Sequence, residues 1–400
     1  MIAPGANLHF PPEEFAAREA AALAAMAAAG LDALLIFRQE SMYWLTGYDT
    51  FGYVHFQALV LTADGRLALL TRSADRLQAR FTSRIEDVRI WRDAADAQPE
   101  QGLKALLADF GLAGRRLGVE WDAYGLTAAK GRRLADALEG FAALDDASQL
   151  VTELRAVKSP AEIACHREAA RLADAALDAA VAATGPGAFE GDILAELQGA
   201  IYRGGGDDPA NEQIIGSGPG ALMCRYFTGR RTLSQNDLLT LEFAAAWRHY
   251  HAALMRTVIV GRPDPRVLDM HAACHEGLLA AEAALRPGNP LSDAFDAHAR
   301  VMDARGLAHA KLNACGCSLG ATFAPNRMAL ADGRRQPALP RPARQRLLPA
   351  HDPVRRAERP RHDAGPHLAG HRRRRRAPLR GAPRSDPALR SSVTPGRRNR

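Results

Sequence analysis

Apolar positions along the chain follow a helical period in some stretches and a strand-like run in others, and their order predicts an α/β architecture. Residues 14 to 29 have apolar positions at helical spacing and stop at Gly30, and an apolar run of strand length follows at residues 31 to 37. Ala63-Asp64-Gly65 predicts a hairpin turn. Further elements are predicted as strands at 57–61, 67–71, 88–91 and 117–120 and helices at 100–110 and 126–138. We expect a mixed-sheet domain over residues 1–150.

The second half of the chain opens with a strong helix start. Ser159, Pro160 and Glu162 have the spacing of a capping box with proline at the first helical position, which predicts a helix from 159 to 184. The elements predicted after it are a helix at 190–203, strands at 212–216, 238–246 and 250–260, and helices at 265–285 and 290–305. We expect a second, α+β domain over residues 151–326.

The periodic pattern ends at Asn326, and the composition changes at the same point. Residues 327–400 contain 21 Arg, no Lys, 4 Asp and 1 Glu, a charge of 21 − 5 = +16, so the formal charge of +7 leaves 7 − 16 = −9 for residues 1–326. The tail has 11 Pro and no Ile, Phe, Trp or Tyr, which predicts disorder. Arg372 to Arg376 would suit a phosphate-binding arm. We prefer the other interpretation, the shifted reading frame of a GC-rich gene, so nucleic acid is not an expected partner.

Membrane and disulfide classes are disfavoured by the composition. No window approaches the roughly 20 uninterrupted apolar residues of a membrane span, and the first 15 residues lack a basic stretch followed by an apolar one. The five cysteines are scattered and odd in number, which favours reduced thiols. We expect a cytoplasmic protein without a membrane partner.

The order of these parts resembles the pita-bread superfamily, which includes aminopeptidase P, prolidase, methionine aminopeptidase and creatinase. The resemblance covers residues 10–326 and rests on the following stretches: Tyr43 to Tyr48, the linker helix Glu153 to Ile163, Ile215 to Gly218, Leu239 to Ala244, and Tyr250 to Thr257. It implies a creatinase/prolidase-like N-terminal domain, then an incomplete pita-bread domain with a curved antiparallel sheet and helices.

The resemblance also shows where metal ligands are missing. Metal-binding relatives hold two divalent ions such as Mn, Co or Zn with two aspartates eleven residues apart, a histidine in a later Gly-rich strand, and two C-terminal glutamates. Those positions fall here on Glu242, Ala253 and Cys315, and the two glutamates would lie beyond residue 326. We therefore predict no metal cofactor for this chain.

Three functions remain open. The first is an Xaa-Pro aminopeptidase- or prolidase-like hydrolase that cleaves an amide or other C–N bond of a small molecule or dipeptide, with a degenerate dimetal site that leaves this chain inactive. The second is a metal-independent hydrolase, since Glu242 to Ala244 followed by Tyr250 to Ala252 looks most like ectoine hydrolase, and creatinase also works without metal. The third is a non-catalytic small-molecule binder. The resemblance implies a homodimer if the fold is complete.

The candidate catalytic residues are Glu242, His251 and Cys315. Glu242 would serve as general base or bind a cationic group, or it would simply pair with Arg256 or Arg248. His249 and His251 alternate, so we expect both on one side of a strand, where one could shuttle a proton or merely be packed. Cys315 could be a nucleophile, or inert packing.

The candidate substrate-binding residues are Arg225, Tyr226, Arg256, Trp44 and Tyr48. An arginine fork suits a substrate carboxylate, although Arg225 would also fit a surface basic run. Trp44 and Tyr48 belong to an aromatic group in a predicted loop that would enclose a cationic substrate or pack in the core.

Overall fold

Six strands in the first half of the chain form one mixed sheet in the computed structural model, which describes residues 7–223, 230–311 and 315–329. The strands are β1 (Ala33–Ile36), β2 (Ala58–Thr62), β3 (Leu67–Arg72), β4 (Asp87–Trp91), β5 (Arg116–Val119) and β6 (Ala143–Asp146). Their spatial order is β4-β3-β2-β1-β5-β6. Strands β1 to β3 pair antiparallel, and β4, β5 and β6 add in parallel.

Helices cover both faces of this sheet, which explains why its central strands are apolar without alternation. They are α1 (Pro12–Ala29), α2 (Gln39–Thr46), α3 (Arg76–Thr82), α4 (Pro99–Asp109), α5 (Ala128–Leu138) and α6 (Leu150–Leu154). Leu35 and Val60 pack in one core with residues of α4 and α5, whereas Leu34 and Leu61 pack in another with Met26 of α1. Successive strand residues therefore enter different cores.

The second half builds a three-stranded antiparallel sheet and two helix pairs. Its elements are α7 (Pro160–Ala183), α8 (Glu190–Arg203), β7 (Ile214–Ser217), β8 (Asp237–Trp247), β9 (Tyr250–Val260), α9 (Pro265–Ala284) and α10 (Leu291–Ala304). The strand order in the described residues is β7-β8-β9. Leu239, Leu241 and Phe243 of β8 pack against residues of α7 and α8. This packing commits one face of the sheet to the core.

Small residues set the contact between α9 and α10. Ala273, Gly277 and Ala281 recur every fourth residue on α9 and are buried. A Cβ at Gly277 would meet the His298 ring of α10 at 3.2 Å. The close approach of the two helices therefore depends on the absence of a side chain at Gly277. This contact determines which face of α9 points away from α10.

Most predicted elements are confirmed within a few residues. The capping box of α7 is present, with the Ser159 side chain accepting from the Glu162 amide and Glu162 accepting from the Ser159 amide. Helices α2, α3 and α6 and strand β6 were not predicted, and Trp44, expected in a loop, lies on α2. The predicted disorder of residues 327–400 falls outside the described residues from 330 onward.

All described residues belong to one compact unit. The proposed domain boundaries at 150 and 326 stay predictions, although the two sheets fall on either side of residue 150. Within the described ranges, no helix has the length and apolarity needed to cross a bilayer.

Candidate functional site

Glu242 and Ala253 share one face of the β8–β9 hairpin. Glu242 is paired with Met255 and Ala244 with Ala253, and directly paired residues of antiparallel strands point to the same side. We call this side, formed by Thr240, Glu242, Ala253, Met255 and Thr257, the Glu242 face. It lies opposite the face that packs on α7 and α8, because side chains alternate along a strand. The spacing of eleven therefore does bring the two positions together.

The Glu242 carboxylate is held by a cation from the end of the described chain. The Arg327 guanidinium donates to Glu242 Oε1, and the Arg327 backbone N–H donates to Asn211 Oδ1 at 2.7 Å. Only 14% of the Arg327 side chain and 17% of the Glu242 side chain are exposed. The Glu242 face thus presents a charged pair rather than an open carboxylate.

The donor set does not fit a dinuclear metal centre. Ala253 has no ligating atom, and Glu242 is occupied by Arg327. Among the described residues, no group of three or more His, Cys, Asp or Glu side chains is arranged to hold a metal ion. Two divalent ions require several hard oxygen donors around them, and this face offers one paired carboxylate.

The hairpin turn next to this face consists of Arg248 and His249, both in the left-handed region at φ 53° and 64°. This is the backbone of a two-residue turn that matches the twist of the strands. His249 is held there because its N–H donates to Asp207 at 3.0 Å and its ring lies 2.9 Å from the Asp49 carboxylate. The expectation that His249 and His251 share a strand face is therefore wrong, since His249 is in the turn.

His251 is buried with both ring nitrogens engaged. Nε2 accepts the Ala210 N–H at 2.9 Å, which leaves the proton on Nδ1, 3.2 Å from the Thr322 hydroxyl. Burial lowers the pKa of His251 to about 3. The carbonyl oxygen of His251 lies 2.9 Å from Nδ1 of His166, whose pKa burial lowers to about 4. The structure places His251 in a neutral packed network without an open nitrogen for proton transfer.

Residues 321–324 connect the hairpin to the first domain. Thr322 donates its N–H to the His249 carbonyl at 3.1 Å, and Phe323 stacks on the His249 ring with centroids 4.2 Å apart. From the first domain, Tyr53 donates its hydroxyl to the Ala324 carbonyl at 2.7 Å. Arg155 donates to the Ala321 carbonyl at 2.5 Å. The segment that precedes Arg327 is therefore fixed by contacts on both sides.

The structure gives less information on three further candidate residues, Arg225, Tyr226 and Cys315. Arg225 and Tyr226 fall in residues 224–229, outside the described residues, so their substrate role stays a prediction. Cys315 is half-buried, and burial raises the pKa of its thiol. A raised pKa keeps the thiol protonated near neutral pH and disfavours the nucleophile hypothesis.

Trp44 and Tyr48 lie in the core of the first domain and are not brought to the Glu242 face. Trp44 is 5% exposed and Tyr48 is fully buried. Arg18 donates to the Trp44 carbonyl at 3.0 Å, and its guanidinium lies 5.4 Å from the Trp44 ring. The Tyr48 hydroxyl lies 3.4 Å from Gln57. Their buried surroundings correspond to the core-packing alternative.

Arg256 is on the wrong side of the sheet to accompany Glu242. It pairs with Leu241 of β8, and Leu241 packs on α7 and α8. Arg256 therefore points to the side of the sheet opposite the Glu242 face. Its guanidinium is exposed and donates to the Met255 carbonyl at 2.8 Å. Neither pairing with Arg256 nor pairing with Arg248 holds Glu242, whose partner is Arg327.

Sequence reasoning missed Asn211 and Arg327. Asn211 precedes β7 in a stretch without periodicity, and Arg327 was grouped with the basic tail.

The fold is an α+β arrangement with a mixed-sheet N-terminal domain and a second antiparallel sheet backed by helices. Residues 18–157 match the creatinase/prolidase N-terminal domain, and residues 164–346 match metallopeptidase family M24. The chain belongs to family M24 of the pita-bread superfamily.

The relatives agree with this assignment. An uncharacterised hydrolase/peptidase, y4tM, of Sinorhizobium fredii is 30% identical over 330 residues, which are 80% of this chain and 83% of that protein. Ectoine hydrolase of Halomonas elongata is 27% identical over 338 residues, 80% of this chain and 84% of that protein. The chain is thus an M24 peptidase-family hydrolase related to ectoine hydrolase and to Xaa-Pro dipeptidases.

Solved structures support the same fold. Dipeptidase PepE of Mycobacterium ulcerans superposes with a TM-score of 0.68 at 28% identity and covers 82% of this chain and 87% of its own. A dipeptidase of Pyrococcus horikoshii OT3 superposes with a TM-score of 0.67 at 21% identity, covers 80% of this chain and 87% of its own, and bears on the fold alone.

Proposed function

We propose that this M24 member represents a hydrolase of an amide or related C–N bond in a small molecule that works without a dinuclear metal centre. The observation that carries the proposal is the Glu242–Ala253 pair on one sheet face, where the spacing of a metal site is kept and the ligands are not. The likeness to ectoine hydrolase supports an ectoine-like small molecule over a peptide as substrate.

Glu242 is the residue we assign to the reaction. A carboxylate on this face can take a proton from an attacking water or bind a cationic substrate group. In the present chain the Arg327 guanidinium occupies that carboxylate, and only 17% of the Glu242 side chain is exposed. We propose that the 400-residue chain is inactive, because Arg327 pairs with its acid/base group.

We also propose that residues from about 327 onward are read in a shifted frame. The abrupt change to 21 arginines without lysine supports this. Sequencing the gene downstream of codon 326 tests it. An apolar, strand-rich alternative frame is expected, and its absence from both other frames would overturn the proposal.

The reaction is tested by comparing three proteins: the 400-residue chain, a frame-corrected chain, and the frame-corrected chain with Glu242→Gln. Each is incubated with ectoine and with an Xaa-Pro dipeptide, with and without a metal chelator. We expect ectoine-type C–N cleavage only by the frame-corrected chain, unaffected by chelator and lost in Glu242→Gln. Chelator-sensitive dipeptide cleavage would instead support a dimetal peptidase.

A non-catalytic binder is the second candidate, supported by the loss of a ligating side chain at Ala253 on the Glu242 face. It predicts that substrate raises the thermal midpoint of the frame-corrected chain without being consumed. We further propose a cytoplasmic homodimer when the fold is complete. Light scattering of the frame-corrected chain measures the mass, and a monomer at micromolar concentration would contradict the dimer.

A further inference from the structure

Helix α9 presents two histidines to solvent on the side away from its partner helix. His271 and His275 are four residues apart, and both are exposed. At 3.6 residues per turn the pair lies about 140° around the helix axis from the Ala273, Gly277 and Ala281 contact with α10. The packing of α9 on α10 therefore turns the two imidazoles outward.

The two rings are arranged alongside each other. Their planes differ by 1°, and their centroids are 6.4 Å apart. Side chains at positions i and i+4 are neighbours on one helix face, so small rotations bring both imidazoles onto one ion without backbone movement. The cost of ordering a site is low because the helix already holds both groups.

We propose that His271 and His275 form a two-imidazole site for a borderline divalent d-block cation, such as Ni²⁺, Cu²⁺ or Zn²⁺, with water in the remaining positions. Neutral imidazole suits these ions, whereas Mg²⁺ and Mn²⁺ prefer oxygen donors. The site is separate from the Glu242 face and does not depend on the proposed hydrolase function.

The site needs both histidines, because the second imidazole binds at the high effective concentration that the first creates. Removing either one should therefore weaken binding equally. Moving one histidine to a position off this helix face should weaken metal binding as much as removing it. Ala272 is exposed and next to His271 in sequence, and adjacent residues on a helix do not face the same way.

The test is a calorimetric titration of the full 400-residue chain with NiCl₂ in buffer without chelating groups. Four variants are compared: His271→Ala, His275→Ala, the double variant Ala272→His/His275→Ala, and His309→Ala as a control at another exposed histidine. The double variant keeps the chain's 13 histidines but breaks the spacing. Circular dichroism checks that α9 stays folded in each.

We expect one strong nickel equivalent in the wild type and in His309→Ala. We expect the dissociation constant of that equivalent to rise at least about tenfold in His271→Ala, His275→Ala and the double variant. Unchanged binding in His275→Ala or in the double variant would overturn the proposal. An equal loss in His309→Ala would overturn it too, because the nickel would then be spread over unrelated surface histidines.

Discussion

The Arg327 guanidinium donates to the Glu242 carboxylate, which joins the last described residues of the chain to the middle of strand β8. Both side chains are more than four-fifths shielded from water. The pair therefore has two consequences: it stabilises the end of the folded region and it occupies the only carboxylate that the hairpin places on the Glu242 face.

Removing the guanidinium should destabilise the protein. Arg327→Ala leaves a mostly shielded carboxylate without its partner, so we expect the free energy of unfolding to fall by about 1–2 kcal/mol. Urea denaturation at neutral pH measures the loss. Arg256→Ala is the matched control, because Arg256 is exposed and donates to the Met255 carbonyl, and it should change stability by less than about 0.5 kcal/mol. Equal effects of the two substitutions would contradict the importance of the pair.

Acid should destabilise the fold through His251 and His166. Burial lowers the pKa values of these histidines to about 3 and about 4, below the ordinary 6.5. The unfolded chain then binds more protons below pH 6.5, so this contribution to stability is present above pH 6.5 and lost as the pH falls. The contribution of each histidine to the free energy of unfolding should fall by about 2 kcal/mol between pH 7 and pH 5.

Urea midpoints at the two pH values test this for His251→Gln against His309→Gln, an exposed control. The decline between pH 7 and pH 5 should be smaller in His251→Gln and unchanged in His309→Gln. A decline in His251→Gln as steep as in the wild type would show that His251 protonates equally in the folded and unfolded chain.

Glu120 should act with the opposite sign. Burial raises the pKa of Glu120 to about 7, although it accepts the amides of Phe37 and Arg38 and the Ser41 hydroxyl. Because the folded state holds the proton more tightly, this contribution is fully present below about pH 4.5 and is lost as the pH rises through 7. Glu120→Gln keeps the shape without the charge. As the pH rises from 5 to 8, the free energy of unfolding of Glu120→Gln should increase by about 2–3 kcal/mol relative to that of the wild type. A constant difference between the two proteins across that range would refute the shift.

Phe323 should be the main anchor of residues 321–324. Its ring stacks on His249, packs edge-on against Tyr43 and Tyr53, and is 7% exposed. Phe323→Ala should cost about 3 kcal/mol of unfolding free energy and make the segment sensitive to protease. Phe51→Ala is the control, since Phe51 is 84% exposed and should change little. Resistance of Phe323→Ala to proteolysis at the wild-type level would contradict this anchoring role.

Elements with a clear period could be predicted from the sequence, and the four missed elements, α2, α3, α6 and β6, are short. Two of them show the reason. Helix α2 is buried at every position, so its residues Gln39–Thr46 show no polar face. Strand β6 (Ala143–Asp146) has the sequence ALDD at the edge of the sheet, and it becomes a strand by pairing with β5. Both depend on tertiary contacts that no local pattern contains.

The site was predictable only in part, for a similar reason. The spacing of eleven between Glu242 and Ala253 places them on one face because the hairpin turn has two residues, and alternation then puts Arg256 on the other face. The position of His249 follows from a turn with positive φ at two non-glycine residues, which hydrophobic pattern does not indicate. Arg327 reaches Glu242 across 85 residues, a contact that only the folded chain defines.

Binding of Mn²⁺ to the 400-residue chain most directly tests the claim that the Glu242 face has lost its metal site. Mn²⁺ prefers carboxylate oxygens, so the histidines of α9 do not interfere. Electron paramagnetic resonance of the free ion during titration should show no strong equivalent bound, with the same result for Glu242→Gln. Tight binding of one or two Mn²⁺ ions by the wild type that Glu242→Gln abolishes would contradict the account.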